Sequence, residues 1–525
     1  MKKLLLALIT LSFVSKAQPI TYTATLNNPP VGYYFVSPYK GVTLANPTIY
    51  DGSGNIVYYK KITGTNALEF KLHANGLMSY FPSNLGKFVV FDSTFMPIDT
   101  VGTVGYITDE HEFQILANGH YLMLAAENST QNLSSYNYFN HNGTAGSSVA
   151  VVRSNIIQEL DGNKNVVFEW HHKDNFPFDE TDPFFLSGPS NVDWSHSNAL
   201  ELDQDGNILM SSRHFNEITK INHTTGNIMW HFGGKYNQFT FTTDTTPFYG
   251  QHDIRRLNNG HISFYDDANH TFYHAARAVE YELDEINMTA KLVWSYKHDP
   301  LMYSTSQGSV QILSHNTTLV DYGATNKDSV CFSMVDSLGH ELFRMKYNGA
   351  LVSYRAHYYP SLPWQINRPT ISCFDSLGTY YLKVDSSYSS YLWNTGGTTR
   401  AIQLTDTGTY FVFVPYGSPG GFVSSLSLKV SDVNSVCGTT TSITGIKNDL
   451  TYRLFPNPAQ NQITLYGLEF DKNTNPIISD MLGKHVELSY VINSNSTSVT
   501  FDISKLSSGL YFLNLKNKAF KFIKE

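Results

Sequence analysis

Three histidines share one register in a loose internal repeat: His111, His196 and His252. Each stands at the head of a strand–turn–strand unit. The units read HEFQILANGHYLMLAAE from 111, HSNALELDQDGNILMSSRH from 196 and HDIRRLNNGHISFYDD from 252. Arg213 follows the second strand of the middle unit, and Asp193, Trp194 and Asn198 flank His196, while Gln251 precedes His252. A neutral imidazole is a nucleophile near pH 7, a protonated one is a donor, and a guanidinium is a permanent cation. Clustered at one place, these groups offer a small anion several donors and positive charge. The same imidazoles could instead ligate a divalent ion in a hydrolase. Against that second reading, no H-E-x-x-H motif accompanies them, and an arginine beside a metal is electrostatically unfavourable. No metal site is therefore assigned. His120, His171, His172, His214, His223, His231 and His261 share no common register and are read as turn or core residues.

The elements that must position these groups are strands. Fainter copies of the unit occur at 70–81 and 310–323, and a second half-repeat is a turn followed by a strand ending at Trp170, Trp230 or Trp294. Helical periodicity is nearly absent. Units that each leave an apolar face uncovered must stack, and stacking around an axis gives a β-propeller, expected over residues 18–366. Equivalent positions on successive blades then point to the same end of the central channel. Asp203-Gln204-Asp205-Gly206 looks like part of a calcium loop but lacks the downstream bidentate Glu, so it is read as a hairpin turn.

The composition agrees with an all-β chain: 525 residues, 15% charged, with 34 Tyr and 33 Phe. A formal charge of −8 without a basic block argues against nucleic acid as a partner. Residues 1–17, with Lys2-Lys3 ahead of an apolar run, read as a secretory signal peptide, and no later segment is apolar enough to span a bilayer. Residues 367–438 read as an Ig-like β-sandwich, with TDTGTY at 405–410 leading into a late strand. Cys373 and Cys437 bracket it, and a bond between them would contribute roughly 4 kcal/mol on the chain-entropy model. Cys331, in an expected propeller strand, is read as a buried free thiol. A linker at 439–449 precedes a small β-sandwich at 450–525.

That last segment resembles the C-terminal sorting domain of cargo of the type IX secretion system, through Phe455-Pro456-Asn457-Pro458, the Asp480–Gly483 turn, residues 506–511 and a Lys-bearing final strand. The resemblance implies export, release or attachment at the outer cell surface, and the secretion machinery as a partner. The propeller resembles the bacterial aryl-sulfate sulfotransferases that use no nucleotide donor. The stretches that carry this are DEHEFQILANGHYL from 109, DWSHSNALELDQDGNILMSSRH from 193, GNIMWHFGGK from 226 and GQHDIRRLNNGHISFYDD from 250. The resemblance implies six blades, no cofactor, and transfer of a sulfuryl group from an aryl sulfate to a phenol through a sulfohistidine. His252 matches the nucleophile, His111, His196 and Arg213 the groups that hold the sulfuryl oxygens, and Asn198 a polar substrate contact. Tyr265-Asp266-Asp267-Ala268-Asn269 departs from the Phe-Asp-Asn-Gly found in many members. A secreted surface propeller that binds without catalysis is the alternative, with the metal hydrolase behind it.

Overall fold

In the computed structural model nearly every regular element is a β-strand. It describes residues 19–433 and 453–524, apart from 41–43, 138–142, 187, 270–274, 314–316, 326–329, 350, 456–458, 467–476, 481–483, 487, 493–497 and 516–517. The expected signal segment and linker, and Cys437, lie outside the described residues. The chain divides into two units, Met1–Ile371 with Tyr381–Ser431, and Ser372–Tyr380 with Asp432–Glu525.

The first unit is a propeller of six antiparallel blades, each with four core strands. From the axis outward, blade 1 holds Ala356–Tyr359, Tyr33–Val36, Thr48–Asp51 and Ile56–Lys60, and blade 2 runs from Ala67–Leu72 to Pro97–Val101. Blade 3 runs from Ile107–Ile115 to Val166–His171, and blade 4 from Ser197–Leu202 to Ile228–Gly233. Blade 5 runs from His252–Arg256 to Thr289–Tyr296, and blade 6 from Ser309–Leu313 to Glu341–Tyr347. From blade 2 to blade 6 each innermost strand touches its successor, Ser309–Leu313 meets Ala356–Tyr359, and blade 1 meets Ala67–Leu72 of blade 2 through Tyr33–Val36 and the Tyr359 hydroxyl, so the ring closes. Closure is a strand exchange. The late strand Ala356–Tyr359 completes blade 1, while the early strand Tyr22–Leu26 adds to the outer edge of blade 6.

The core lies between blades. Ile208 and Met210 pack toward Leu122, Leu124 and Ile157 of blade 3, whereas Leu209 packs toward Ile254, Phe264 and Val279 of blade 5. Successive side chains alternate across a strand, so a strand covered on both faces needs the unbroken apolar run Ile208-Leu209-Met210. The tryptophan half-repeat also finds its cause here. Nε1 of Trp170 donates to the Gly226 carbonyl (2.8 Å), Trp230 to Glu285 Oε2 (3.0 Å) and Trp294 to the Ser337 carbonyl (3.4 Å). Each outer-strand indole ties its blade to the outer turn of the next. The Asp203–Gly206 segment is a hairpin turn, as expected, with Gly206 at φ 81° and Asp203 clamping Arg256.

The stretch 367–438 does not form a sheet of its own throughout. Gly421–Ser424 pairs with Ile56–Lys60, and Val412–Pro415 and Leu392–Trp393 follow, extending blade 1 to seven strands. Covering the outer edge of blade 1 satisfies backbone groups that would otherwise be free to pair elsewhere. Tyr410 donates its hydroxyl to the Asp406 carbonyl at 2.7 Å, the tyrosine-corner contact of Ig-like sandwiches. Cys331 is free and buried, while Cys373 is disulfide-bonded.

In the second unit two four-stranded sheets face each other. One holds Gln462–Tyr466 and Ser498–Asp502, the other Ile477–Asp480 and Gly509–Leu515, around Ile463, Leu465, Ile478, Phe501, Leu513 and Phe522. This is the expected small sandwich.

Candidate functional site

Four innermost strands break register at one level of the channel. The bulges fall at Leu68/Lys71, Thr108/Phe113, Ser197/Ala199 and His252/Arg255. A bulge leaves a residue out of the ladder and re-aims its neighbours. Glu69 (φ 55°), His196 (φ 44°) and Asp253 (φ 64°) accordingly sit in the left-handed region, where a non-glycine residue is uncommon. Strain of that kind persists only where surrounding contacts over-determine it.

The bulges bring the sequence-predicted residues together. The rings of His111 and His196 meet edge to face with centroids 5.0 Å apart. His111 Nδ1 donates to Asp109 Oδ1 and His196 Nδ1 to Asp193 Oδ2, each at 2.5 Å. Among the described residues neither Nε2 has a hydrogen-bond partner. Burial pulls the His111 pKa down, but the Asp109 carboxylate outweighs it and raises it to about 9, so this ring is an imidazolium at neutral pH. Asp109 is itself held well below the usual carboxylate range: burial would raise it, and the charges of His111 and Arg153 prevail.

Arg213 donates its backbone N–H to the His196 carbonyl (3.1 Å) and Nη2 to the Thr305 carbonyl (2.9 Å), and Nη1 contacts His214 Nε2 (3.0 Å). Its guanidinium lies 4.6 Å from the Phe185 ring centroid. Among the described residues its Nε is buried without a partner. Asn198 is fully buried beside them; its Nδ2 donates to the Gln251 carbonyl (2.7 Å), and among the described residues its Oδ1 has no partner.

His252 is buried at the head of blade 5. Its Nδ1 faces the Gly250 carbonyl (3.0 Å), which can only accept and so places the proton on Nδ1, and Asp267 Oδ2 lies 2.8 Å away on a carboxyl that burial raises well above its usual pKa. The Nε2 lone pair then faces the backbone N–H of Gln307 at 3.1 Å. Burial, followed by the charges of Arg213, His196 and His111, holds this imidazole well below its usual pKa. His252 is neutral, beside a donor-rich, positively charged wall.

Below the histidines a balanced ion cluster fills the channel. Arg355 reaches Glu69 (2.8 Å) and Asp253 (3.0 Å), Arg255 reaches Glu112 (2.9 Å), and Lys71 bridges Glu69 and Glu112 at 2.8 Å each. Burial would raise Glu69, but Arg355 and Lys71 hold it at about 2. Arg355 Nη2 and the Tyr354 hydroxyl both donate to the Asn198 carbonyl, fixing the floor of the site.

Two groups of side chains have the proximity of metal ligands: Asp193, His196 and His214, and Asp109, Glu110 and His111. Several of their ligand atoms are already engaged. His196 and His111 spend Nδ1 on the acids, His214 Nε2 faces Arg213, and Arg153 adds a cation beside Asp109. The donor set suits an anion.

Several contributors escaped the sequence reading. Asp109 and Asp193 were visible as Asp-x-His and Asp-x-x-His spacings. His214, stacked on His196 at 4.7 Å, had been read as a turn or core residue. Asp267 stands in the 265–269 segment that departs from the family pattern, whereas Phe185 and Gln307 carry no local signal, and Gln307 acts through its backbone, which any residue but proline supplies.

The chain is similar to several solved structures, all at low identity. A protein of unknown function from Bacteroides caccae is 11% identical, with 62% of this chain and 98% of that one covered at a TM-score of 0.41. Virginiamycin B lyase from Staphylococcus aureus, a catalytically inactive variant with quinupristin, is 12% identical, with 70% and 97% covered at 0.33. A protein from Lactobacillus plantarum is 9% identical, with 78% and 98% covered at 0.34. No curated protein matches the chain. Residues 453–525 match the family described as a secretion system C-terminal sorting domain, which marks an exported protein, secreted or attached at the cell surface. No helix among the described residues is long and apolar enough to cross a membrane. Residues 23–359, the propeller and its closing strand, match the model of the family described as Arylsulfotransferase (ASST), and the chain therefore belongs to the arylsulfotransferase family of transferases.

Proposed function

We propose that the protein moves a sulfuryl group from an aryl sulfate ester to a phenolic acceptor in two steps, through a sulfohistidine at His252. The observation that carries this reading is the pairing of a neutral imidazole, its proton held on Nδ1, with the partnerless Arg213 Nε and two imidazoles whose Nε2 atoms are unspent. In the first step the Nε2 lone pair of His252 gives up the Gln307 N–H and bonds to sulfur, the sulfur–aryloxy bond breaks, and the phenolate leaves with the electron pair. His111, an imidazolium with a pKa of about 9, gives it a proton. In the second step the acceptor phenol returns a proton to His111, its oxygen bonds to sulfur, and the nitrogen–sulfur bond breaks, restoring His252.

A phenol has a pKa of about 10, close to that of His111, which is the match that general acid–base catalysis favours. Charge on the three sulfuryl oxygens is met by Arg213, His196 and His111, as in phosphoryl transfer, and each positioned donor contributes about 3 kcal/mol to the transition state. The Gly250 carbonyl holds the Nδ1 proton while the ring gains positive charge, with Asp267 beside it. Asn198 acts here by fixing the Gln251–His252 backbone. The scheme calls on neither metal nor nucleotide. Residues 1–17 are read as the export signal and 18–366 as the catalytic propeller. Residues 367–438 are read as an Ig-like spacer joined by 439–449 to the sorting sandwich at 450–525, which engages the secretion machinery.

The test uses p-nitrophenyl sulfate with a phenol acceptor. Acceptor-dependent release of nitrophenol is expected, lost in His252→Ala. Donor alone should leave a sulfuryl adduct on the peptide containing Gln251-His252-Asp253. Unchanged turnover in the folded variant removes His252 as nucleophile, and no release by the folded wild type favours a binding propeller.

A further inference from the structure

A second cavity, of about 320 Å³, opens where the N-terminal segment, the Asn55–Ile56 turn and the strands added to blade 1 meet. It shares no residue with the histidine site. Ile20, Ile56, Leu392, Trp393 and Phe413 give it apolar walls, and Arg368 supplies a guanidinium. The volume lies at the lower end of the range of small-molecule pockets, about 300–1,000 Å³.

The arginine is what makes this more than a packing gap. Arg368 Nε donates to the Ser424 carbonyl (2.8 Å), and Nη2 to Ser424 Oγ (2.7 Å) and the Ser425 carbonyl (2.6 Å). All three acceptors are neutral, and Nη1 makes no hydrogen bond among the described residues. No carboxylate there lies within ion-pair distance of it. Asp51 feels its charge but spends its oxygens on Ser53 and Asn55 within its own turn. Burial pulls the Arg368 pKa down, the mark of a cation whose charge is poorly compensated. A partly buried cation in an apolar cavity is stabilised by an anion that brings its own apolar body. The walls are fixed in advance, since Trp393 Nε1 is tied to the Thr399 carbonyl at 2.9 Å.

We propose that this cavity binds an amphipathic organic anion, an aromatic ring system bearing one carboxylate or sulfonate, with the acid on Arg368 Nη1 and the ring against Ile20 and Phe411. The test is calorimetric titration of the full chain with 1-naphthoate, with 1-naphthamide as its uncharged counterpart. Binding of one naphthoate per chain is expected, with the amide weaker. Arg368→Gln should weaken naphthoate about tenfold or more, the cost of a charge-assisted hydrogen bond. Ser427→Trp, which fills the cavity mouth from an exposed position, should abolish binding while melting as the wild type does. Arg213→Met should leave naphthoate affinity unchanged, and Arg368→Gln should leave sulfuryl transfer unchanged. Should Arg368→Gln fail to fold, Ser427→Trp decides. Absence of naphthoate binding, affinity indifferent to Ser427→Trp, or affinity lost in Arg213→Met overturns the proposal.

Discussion

Replacing Asp109 by Asn tests whether His111 works as an acid. Asp109 keeps His111 protonated up to about 9 against the opposing pull of burial. Asn retains an acceptor for Nδ1 but carries no charge, so His111 should titrate at or below its unperturbed 6.5, a loss of about 3 kcal/mol of imidazolium stabilisation. At pH 8 the protonated fraction falls about 30-fold. For a sluggish leaving group such as unsubstituted phenol, kcat/KM for the donor should fall by a similar factor. For p-nitrophenyl sulfate, whose phenolate leaves unaided, it should change little. The assay is donor kcat/KM between pH 6 and 10 for a series of aryl sulfates. The falling limb near 9 should move below 7, and the dependence on leaving-group pKa should steepen. The new Nδ2 also faces Arg153, whose Nη2 sits 3.0 Å from Asp109 Oδ2, so a stability loss of about 1–3 kcal/mol accompanies the change. His111→Gln, which leaves Asp109 and Arg153 paired, should reproduce the steepened leaving-group dependence. A high-pH limb that stays put in both variants refutes His111 as the proton donor.

Other outcomes follow from the same geometry. Arg213→Met should lower kcat/KM about 10²–10³-fold, mostly in kcat, because the guanidinium meets charge that grows in the transition state; a pure KM effect would assign it to ground-state binding. Gly250→Ala should cost both stability and transfer. Gly250 has φ 68°, a Cβ there would stand 2.1 Å from Asn269 Oδ1, and its carbonyl holds His252 Nδ1; wild-type turnover in that variant would show the contact to be dispensable. His111 also makes stability pH-dependent. Its folded pKa of about 9 exceeds the unfolded 6.5, so its contribution is complete below 6.5 and is lost as pH rises through 9. Denaturant titration of wild type and His111→Gln should therefore converge above pH 9, and a gap that persists there assigns the difference to packing.

Much of the architecture was legible in the chain. The apolar runs separated by Asn/Asp-Gly turns gave the strand–turn–strand units, and the tryptophans at 170, 230 and 294 marked the outer strands that staple neighbouring blades. The register of His111, His196 and His252 pointed to one end of a channel, where the fold brings them together with Arg213. The closing strands were harder to see. Ala356–Tyr359 and Tyr22–Leu26 belong to blades at the opposite end of the sequence. The strands of 392–424 continue blade 1 because its outer edge was available, a pairing that no local pattern announces.

Sequence alone determined which residue types can do chemistry and the interval at which they recur, because alternation and turn residues act over a few neighbours. Tertiary structure decided their states. Whether an imidazole is neutral, as at His252, or charged, as at His111, depends on burial and on the charges set against it, cations at His252 and the Asp109 carboxylate at His111. Desolvation and charge act through space, over approaches such as those of Arg213, His196 and His111 to His252 that only the closed ring creates.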